Sequence, residues 1–115
     1  RIDVDNRKAR SDPDGLLDDL ESTLETRRRA ASYFWERERW DYFQVVVTGT
    51  DRLHHFLWNA VDDEHDPRHE RAMRYYGAVD DLIGGLWDRH HKGRSGDREG
   101  EGFLLLSDHG FCGLR

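Results

Sequence analysis

The hydrophobic residues of the chain follow two kinds of pattern, one with helical spacing and one in short continuous runs. After Asp12-Pro13, apolar residues recur at steps of three, four and seven, as on one stripe of an α-helix. That stripe consists of Leu16, Leu17, Leu20, Leu24, Ala31, Phe34 and Trp35. A second Asp-Pro pair, Asp66-Pro67, precedes another stripe of this kind, made of Ala72, Met73, Tyr76, Val79, Ile83, Leu86 and Trp87. Because Asp caps free N–H groups and Pro suits the first helical position, each pair predicts the start of an amphipathic helix.

The continuous apolar runs predict strands. Residues 42–48 (Tyr-Phe-Gln-Val-Val-Val-Thr) and 103–107 (Phe-Leu-Leu-Leu-Ser) are the two runs of this kind, and residues 1–5 alternate in the manner of an edge strand. Residues 50–59 resemble a loop that enters a short aromatic-rich helix, and the glycine-rich residues 93–102 predict a loop. The order strand, helix, strand, helix, strand indicates an α/β fold with parallel strands and crossover helices. Since two such strands are too few to stand alone, we expect residues 1–115 to be an internal fragment of a larger catalytic domain.

Composition excludes several classes of protein. The formal net charge of −6 gives no basic field for a nucleic-acid polymer, and the single Cys112 excludes an internal disulfide framework. The arginines at positions 27–29 are interpreted as solvated helix surface that pairs with Glu21 and Glu25. No apolar run is long enough to span a bilayer, and no signal peptide is visible, so we expect a cytoplasmic protein.

The residues whose side chains could bind a metal ion or take part in catalysis follow the two predicted strands. Asp51, His54 and His55 come after the first strand, and Asp108 and His109 come directly after the second. In open parallel sheets, ligands bind beyond the carboxyl ends of the strands, so the two clusters are expected to meet there. Carboxylates and imidazoles together suit Zn²⁺ or Mn²⁺. Each cluster supplies only two ligands, which predicts an incomplete metal centre.

Spacing alone leaves the choice between neighbouring histidines open. Asp51 and His55 are four residues apart and share one face of a helical turn, but His54 is also within reach of Asp51. Asp108 and His109 are adjacent and can share a site only if the chain turns, which Gly110 permits. An alternative interpretation is that all these residues are structural, as helix caps or hydrogen-bonded histidines.

The remaining histidines are weaker candidates. His65 and His69 straddle the Asp66-Pro67 pair, so we expect both at the surface. The pair His90-His91 is explained by a favourable interaction with the dipole at a helix C-terminus.

Three stretches of the sequence carry a resemblance to a known family. Residues 50–58 (Thr-Asp-Arg-Leu-His-His-Phe-Leu-Trp), 75–80 (Tyr-Tyr to Asp) and 106–111 (Leu-Ser-Asp-His-Gly-Phe) resemble the alkaline phosphatase superfamily, in its type I phosphodiesterase/nucleotide pyrophosphatase branch. That resemblance implies an α/β sandwich with two divalent metal ions, usually zinc, at the edge of the sheet. It selects Asp51 and His55 as ligands of one ion and Asp108 and His109 as ligands of the other.

The resemblance also implies a reaction, which is hydrolysis of phosphodiester or pyrophosphate bonds in a small phosphorylated substrate. The family's nucleophile, an Asp near its N-terminus and a late metal-binding His have no counterpart among these residues, so we expect the isolated chain to be inactive. A phosphomutase or sulfatase of the same superfamily and a non-catalytic α/β interaction module are the alternatives.

Overall fold

The computed structural model describes residues 10–92 and 101–113, and it is built from three helices. Helix α1 spans Pro13–Arg37, α2 spans Gly49–Asp62 and α3 spans His69–Lys92. Every helix packs against the other two. The polypeptide between the helices and after α3 has no regular secondary structure within the described ranges.

The predicted start of the first helix is confirmed. The side chain of Asp12 accepts a hydrogen bond of 2.9 Å from the backbone N–H of Gly15, and Pro13 is the first helical residue. The cap satisfies one of the N–H groups that a helix leaves without an intrahelical partner. The second Asp-Pro pair also precedes a helix, since α3 begins two residues after Pro67. There the carboxylate of Asp66 accepts a 2.8 Å hydrogen bond from the backbone N–H of Arg68.

The core lies where the three helices meet. Its fully buried side chains include Leu17 and Leu20 of α1 and Leu53 of α2. The helical stripe of α1 is confirmed as far as Ala31, but Phe34 beyond it is 51% exposed. On α3 the buried residues are Ala72, Tyr75 and Leu82, whereas Met73 and Trp87 of the predicted stripe are 37% and 48% exposed.

Ion pairs join the solvent-facing sides of α1 and α3. The guanidinium group of Arg71 on α3 binds the carboxylates of Asp18 and Glu21 on α1, and the Glu21 contacts measure 2.9 Å. Arg68 makes a further ion pair of 3.1 Å with Asp14. The hydrogen bonds and charges of the Glu21 and Asp18 carboxylates raise the pKa of Arg71, which favours its charged form.

The predicted α/β fold with parallel strands is wrong, because the described residues contain three helices and no strand. We refer to residues 42–48 as the first apolar segment and to residues 103–107 as the second. A strand requires a neighbour to accept and donate its backbone hydrogen bonds. In the first segment, the carbonyl of Val46 instead accepts a hydrogen bond from the guanidinium group of Arg27.

Packing also explains why the first apolar segment does not form the predicted strand. Val45 and Val47 lie against the helical core, so apolar side chains of the first segment are buried by helices and not by a sheet. The predicted edge strand at residues 1–5 and most of the predicted loop at residues 93–102 lie outside the described residues. No helix within the described part of the chain is long and apolar enough to cross a membrane.

Candidate functional site

The first half of the candidate site is the first turn of α2. Asp51 and His55 lie on one face of this helix, with His55 Nε2 3.3 Å from Asp51 Oδ1. The loop predicted around residue 50 is absent, because α2 begins at Gly49 directly after the first apolar segment. A carboxylate in the first helical turn interacts favourably with the positive end of the helix dipole. Asp51 is half-buried, while His55 is exposed.

The glycine at the start of α2 allows its close approach to α3. A Cβ atom at Gly49 would overlap the hydroxyl group of Tyr75 and would lie 2.9 Å from the Tyr75 Cζ atom. Arg27 of α1 fixes the residues just before this helix, because it binds the carbonyl of Val46 and donates a 3.1 Å hydrogen bond to the Thr48 hydroxyl. The position of Asp51 therefore depends on contacts from both other helices.

The second half of the site follows the second apolar segment. His109 Nε2 lies 3.7 Å from Asp51 Oδ1, although the two residues are far apart in the sequence. Asp108 is highly exposed and pairs with its neighbour, at 3.8 Å from Asp108 Oδ2 to His109 Nε2. The structure thus brings two predicted residues, His55 and His109, to the same carboxylate oxygen of Asp51, and it places Asp108 beside His109.

A local turn allows Asp108 and His109 to share this site. The Ser107 hydroxyl donates a 2.6 Å hydrogen bond to the carbonyl of His109, and Asp108 Oδ1 accepts one of 3.1 Å from the His109 backbone N–H. His109 Nδ1 lies 2.9 Å from the Gly110 carbonyl, so Nδ1 is the protonated nitrogen and Nε2 faces Asp51. The Gly110 carbonyl, together with the charges of Asp108 and Asp51, raises the pKa of His109.

The structure separates the two adjacent histidines of α2. His54 hydrogen-bonds through Nε2 to the Tyr76 hydroxyl of α3, whereas His55 pairs with Asp51. Its burial lowers its pKa below the ordinary imidazole value, which favours the neutral ring. His55 is therefore the partner of Asp51, and His54 joins α2 to α3.

An aromatic group beside the site was not predicted as functional. The ring of Phe111 packs against His54, His55 and Trp58, with centroid distances of 5.1, 4.9 and 5.3 Å. The four-residue spacing of His54 and Trp58 places both on one face of α2, and this was the signal available in the sequence. The position of Phe111 beside these rings depends on the path of the chain after α3, and no local sequence pattern predicts that path.

The other histidines differ in their surroundings. His65 is exposed, as predicted, and lies 3.9 Å from Glu64. The prediction for His69 is wrong, because this half-buried ring hydrogen-bonds to the carbonyl of Ala60 at 3.0 Å and so links α3 to the end of α2. His91 lies at the end of α3, where its Nδ1 is 2.9 Å from the Trp87 carbonyl.

The side chains of the site are of the types that bind a divalent ion, but they are not arranged as a complete set of ligands. Two imidazoles and two carboxylates are ligands that Zn²⁺ accepts at about 2.0–2.2 Å. Across residues 10–92 and 101–113, however, no group of three or more His, Cys, Asp or Glu side chains is arranged to hold a metal ion. The site contains close pairs of ligands and not a closed coordination shell.

Comparison with known proteins identifies a family. The family model described as type I phosphodiesterase/nucleotide pyrophosphatase matches residues 2–114, which is nearly the whole chain. No curated protein and no solved structure matches the chain.

Proposed function

Because the chain belongs to the type I phosphodiesterase/nucleotide pyrophosphatase family, we propose that it forms part of a two-metal hydrolase. Its substrates would be small nucleotides or related phosphorylated compounds, cleaved at a phosphodiester or pyrophosphate bond. Asp51 and His55 would bind one divalent ion, and Asp108 and His109 the other. The ions would be zinc, with manganese as the alternative. The observation that carries the proposal is the approach of His109 to Asp51, at 3.7 Å.

The orientation of the His109 ring supports this role. Metal binding requires neutral imidazoles and ionised carboxylates, and His109 offers Nε2 while Nδ1 is engaged by the Gly110 carbonyl. The exposure of His55, Asp108 and His109 leaves room for a phosphate group at the site. A pair of bound ions would supply charge stabilisation for the attacking and leaving oxygens of a phosphoryl displacement.

The small number of metal ligands limits the metal binding and the catalysis that we expect of this chain by itself. Since the described residues provide pairs of ligands and not a group of three, we propose that the remaining ligands and the nucleophile lie outside them. The 115-residue chain by itself is then expected to bind metal weakly and to show no turnover. The family match favours this hydrolase over a phosphomutase or sulfatase.

Metal titration tests the proposal directly. Calorimetric titration of the chain with Zn²⁺ is expected to show binding, and Asp51→Asn and His109→Ala are each expected to weaken it by about tenfold or more. His65→Ala is the matched control, because His65 is an exposed histidine away from the site. Unchanged Zn²⁺ affinity in both site variants, or an equal loss in His65→Ala, would contradict the assignment.

The pH dependence of binding provides a second measurement. A raised pKa means that His109 takes up a proton at a higher pH than an ordinary imidazole, and that proton competes with the ion. Zn²⁺ affinity should therefore be greatest above the raised pKa and fall as the pH is lowered through it. The fall should become shallower in His109→Ala, because one competing proton has been removed.

A further inference from the structure

Phe111 is the one residue of the motif Asp108-His-Gly-Phe111 whose side chain is half-buried. Its ring meets the ring of His55 edge-on, with an interplanar angle of 87°, and it lies at 33° to the ring of Trp58. Ring pairs at these centroid distances attract each other beyond the burial of their apolar area. Phe111 therefore gives the end of the chain a specific attachment to α2.

The rest of this part of the chain has few attachments of its own. Leu104, Leu105 and Leu106 are 77%, 65% and 76% exposed. The preceding aromatic contact is that of Phe103, which packs against Trp87 and His90 at the far end of α3. Between the two phenylalanines, His109 Nε2 lies 3.7 Å from Asp51 Oδ1 of α2.

We propose that Phe111 is a positioning residue, which docks residues 108–113 on α2 and so holds His109 beside Asp51. The inference rests on the proposed function, because Phe111 would hold the Asp108–His109 pair of metal ligands next to the Asp51–His55 pair. Without Phe111, the segment would be held on α2 by the pair of His109 with Asp51 and by the approach of Gly113 to Trp58. An exposed pair of this kind contributes little by itself, since water and salt screen it.

The surface that receives Phe111 is fixed by α3. The hydrogen bond between His54 and Tyr76 holds one of the three receiving rings against α3. Trp58, another of these rings, approaches the backbone at Gly113, where a Cβ atom would lie 2.6 Å from the indole Nε1. Phe111 and Gly113 thus mark two points, in addition to His109, at which the segment contacts α2.

Substitution of Phe111 tests the proposal, with Phe103→Ala as the matched control. Phe111→Ala is expected to lower the Zn²⁺ association constant of the Asp108–His109 pair about tenfold, close to the loss in His109→Ala, because a segment released from α2 must be ordered before it can bind an ion. The double variant Phe111→Ala/His109→Ala should bind no more weakly than His109→Ala. Phe103→Ala should bind Zn²⁺ like the unchanged chain. Phe111→Trp should recover most of the affinity, since it restores an aromatic contact.

A spectroscopic measurement on the metal-free protein separates this inference from the proposed function. In a ¹H–¹⁵N spectrum, the indole signal of Trp58 should shift in Phe111→Ala and not in Phe103→Ala, because the Phe111 ring lies 5.3 Å away. Gly113→Ala should shift the same signal through its clash with the indole ring. Helix content by circular dichroism should stay unchanged in all three variants.

The outcomes are distinct. If the unchanged chain binds no Zn²⁺ but the Trp58 signal responds as expected, the docking contact stands and the proposed metal site fails. If Phe111→Ala leaves both the Trp58 signal and the Zn²⁺ affinity unchanged, Phe111 does not position His109. A Zn²⁺ affinity lowered equally in Phe103→Ala would also overturn the proposal, since the effect would not be specific to the docking contact.

Discussion

The two apolar segments have similar compositions but very different surroundings. The first is attached over residues 45–48: Val45 and Val47 pack on the helical core, and Arg27 binds both Val46 and Thr48. The second has three consecutive leucines that are at least 65% exposed, and Phe103 and Phe111 provide aromatic contacts on either side of them. An apolar run therefore shows that a segment can be buried, but the contacts available from the rest of the chain determine whether it is.

The largest expected loss of stability comes from a substitution at the junction between the first apolar segment and α2. Gly49→Ala should lower the free energy of unfolding by about 1–3 kcal/mol, because the new methyl group would overlap the Tyr75 hydroxyl and push α2 away from α3. Gly77→Ala is the matched control in α3, where no atom lies within 4 Å of the new Cβ. That variant should be more stable by up to about 1 kcal/mol, since Ala favours the helix. Denaturant unfolding measures both changes.

If Gly49→Ala were as stable as the unchanged protein, the close approach of α2 to α3 would not matter for folding. The attachment of the first segment would then have to come from Arg27 and the valines alone.

A smaller effect is expected from the arginine that holds the first segment. Arg27→Met should cost about 1–2 kcal/mol of unfolding free energy, because it removes a charged donor from the Val46 carbonyl and the Thr48 hydroxyl. Arg28→Met is the control, since the neighbouring Arg28 makes an exposed ion pair with Glu25 on the same helix. That change should cost distinctly less, since water and salt screen an exposed pair of this kind. Equal losses in the two variants would show that Arg27 acts only as helix surface.

The smallest effect is expected in the second segment. Leu105→Ser should change the unfolding free energy by no more than about 0.5 kcal/mol, because the leucine side chain is mostly exposed. Val47→Ser in the first segment should cost distinctly more, since Val47 packs against the core. Thermal unfolding of the two variants, measured side by side, checks the difference. A large loss in Leu105→Ser would indicate that the second segment is buried after all.

Helices α1 and α3 could be predicted from the sequence, whereas the start of α2 and the way in which the apolar segments pack could not. Asp12-Pro13 and Asp66-Pro67 are local signals, and helices begin at or shortly after them. The α/β prediction failed because a strand is defined by its partner, and the composition of residues 42–48 cannot reveal that a guanidinium group takes the place of a neighbouring strand. The interpretation of Arg27 as plain solvated surface failed for the same reason.

The candidate site was predicted in part. The four-residue spacing of Asp51 and His55 indicated that they share a helical face, and the structure places them 3.3 Å apart. The sequence could not choose between His54 and His55, because the choice depends on Tyr76 of another helix. The meeting of His109 with Asp51 was expected at the edge of a sheet, whereas the structure achieves it by laying the end of the chain against α2. Metal binding by these residues stays a prediction.

Helix α2 is interrupted at Leu57, whose backbone angles (φ −135°, ψ 39°) are not helical. The turn that carries Asp51, His54 and His55 lies before this break, and Ala60, whose carbonyl is bound by His69, lies after it. Because a break of this kind interrupts the cooperative hydrogen-bond ladder, the two halves of the helix need not open together. Amide protons on either side of Leu57 should therefore exchange with solvent deuterium at separate rates, and a ligand at Asp51 should slow exchange mainly in the first half.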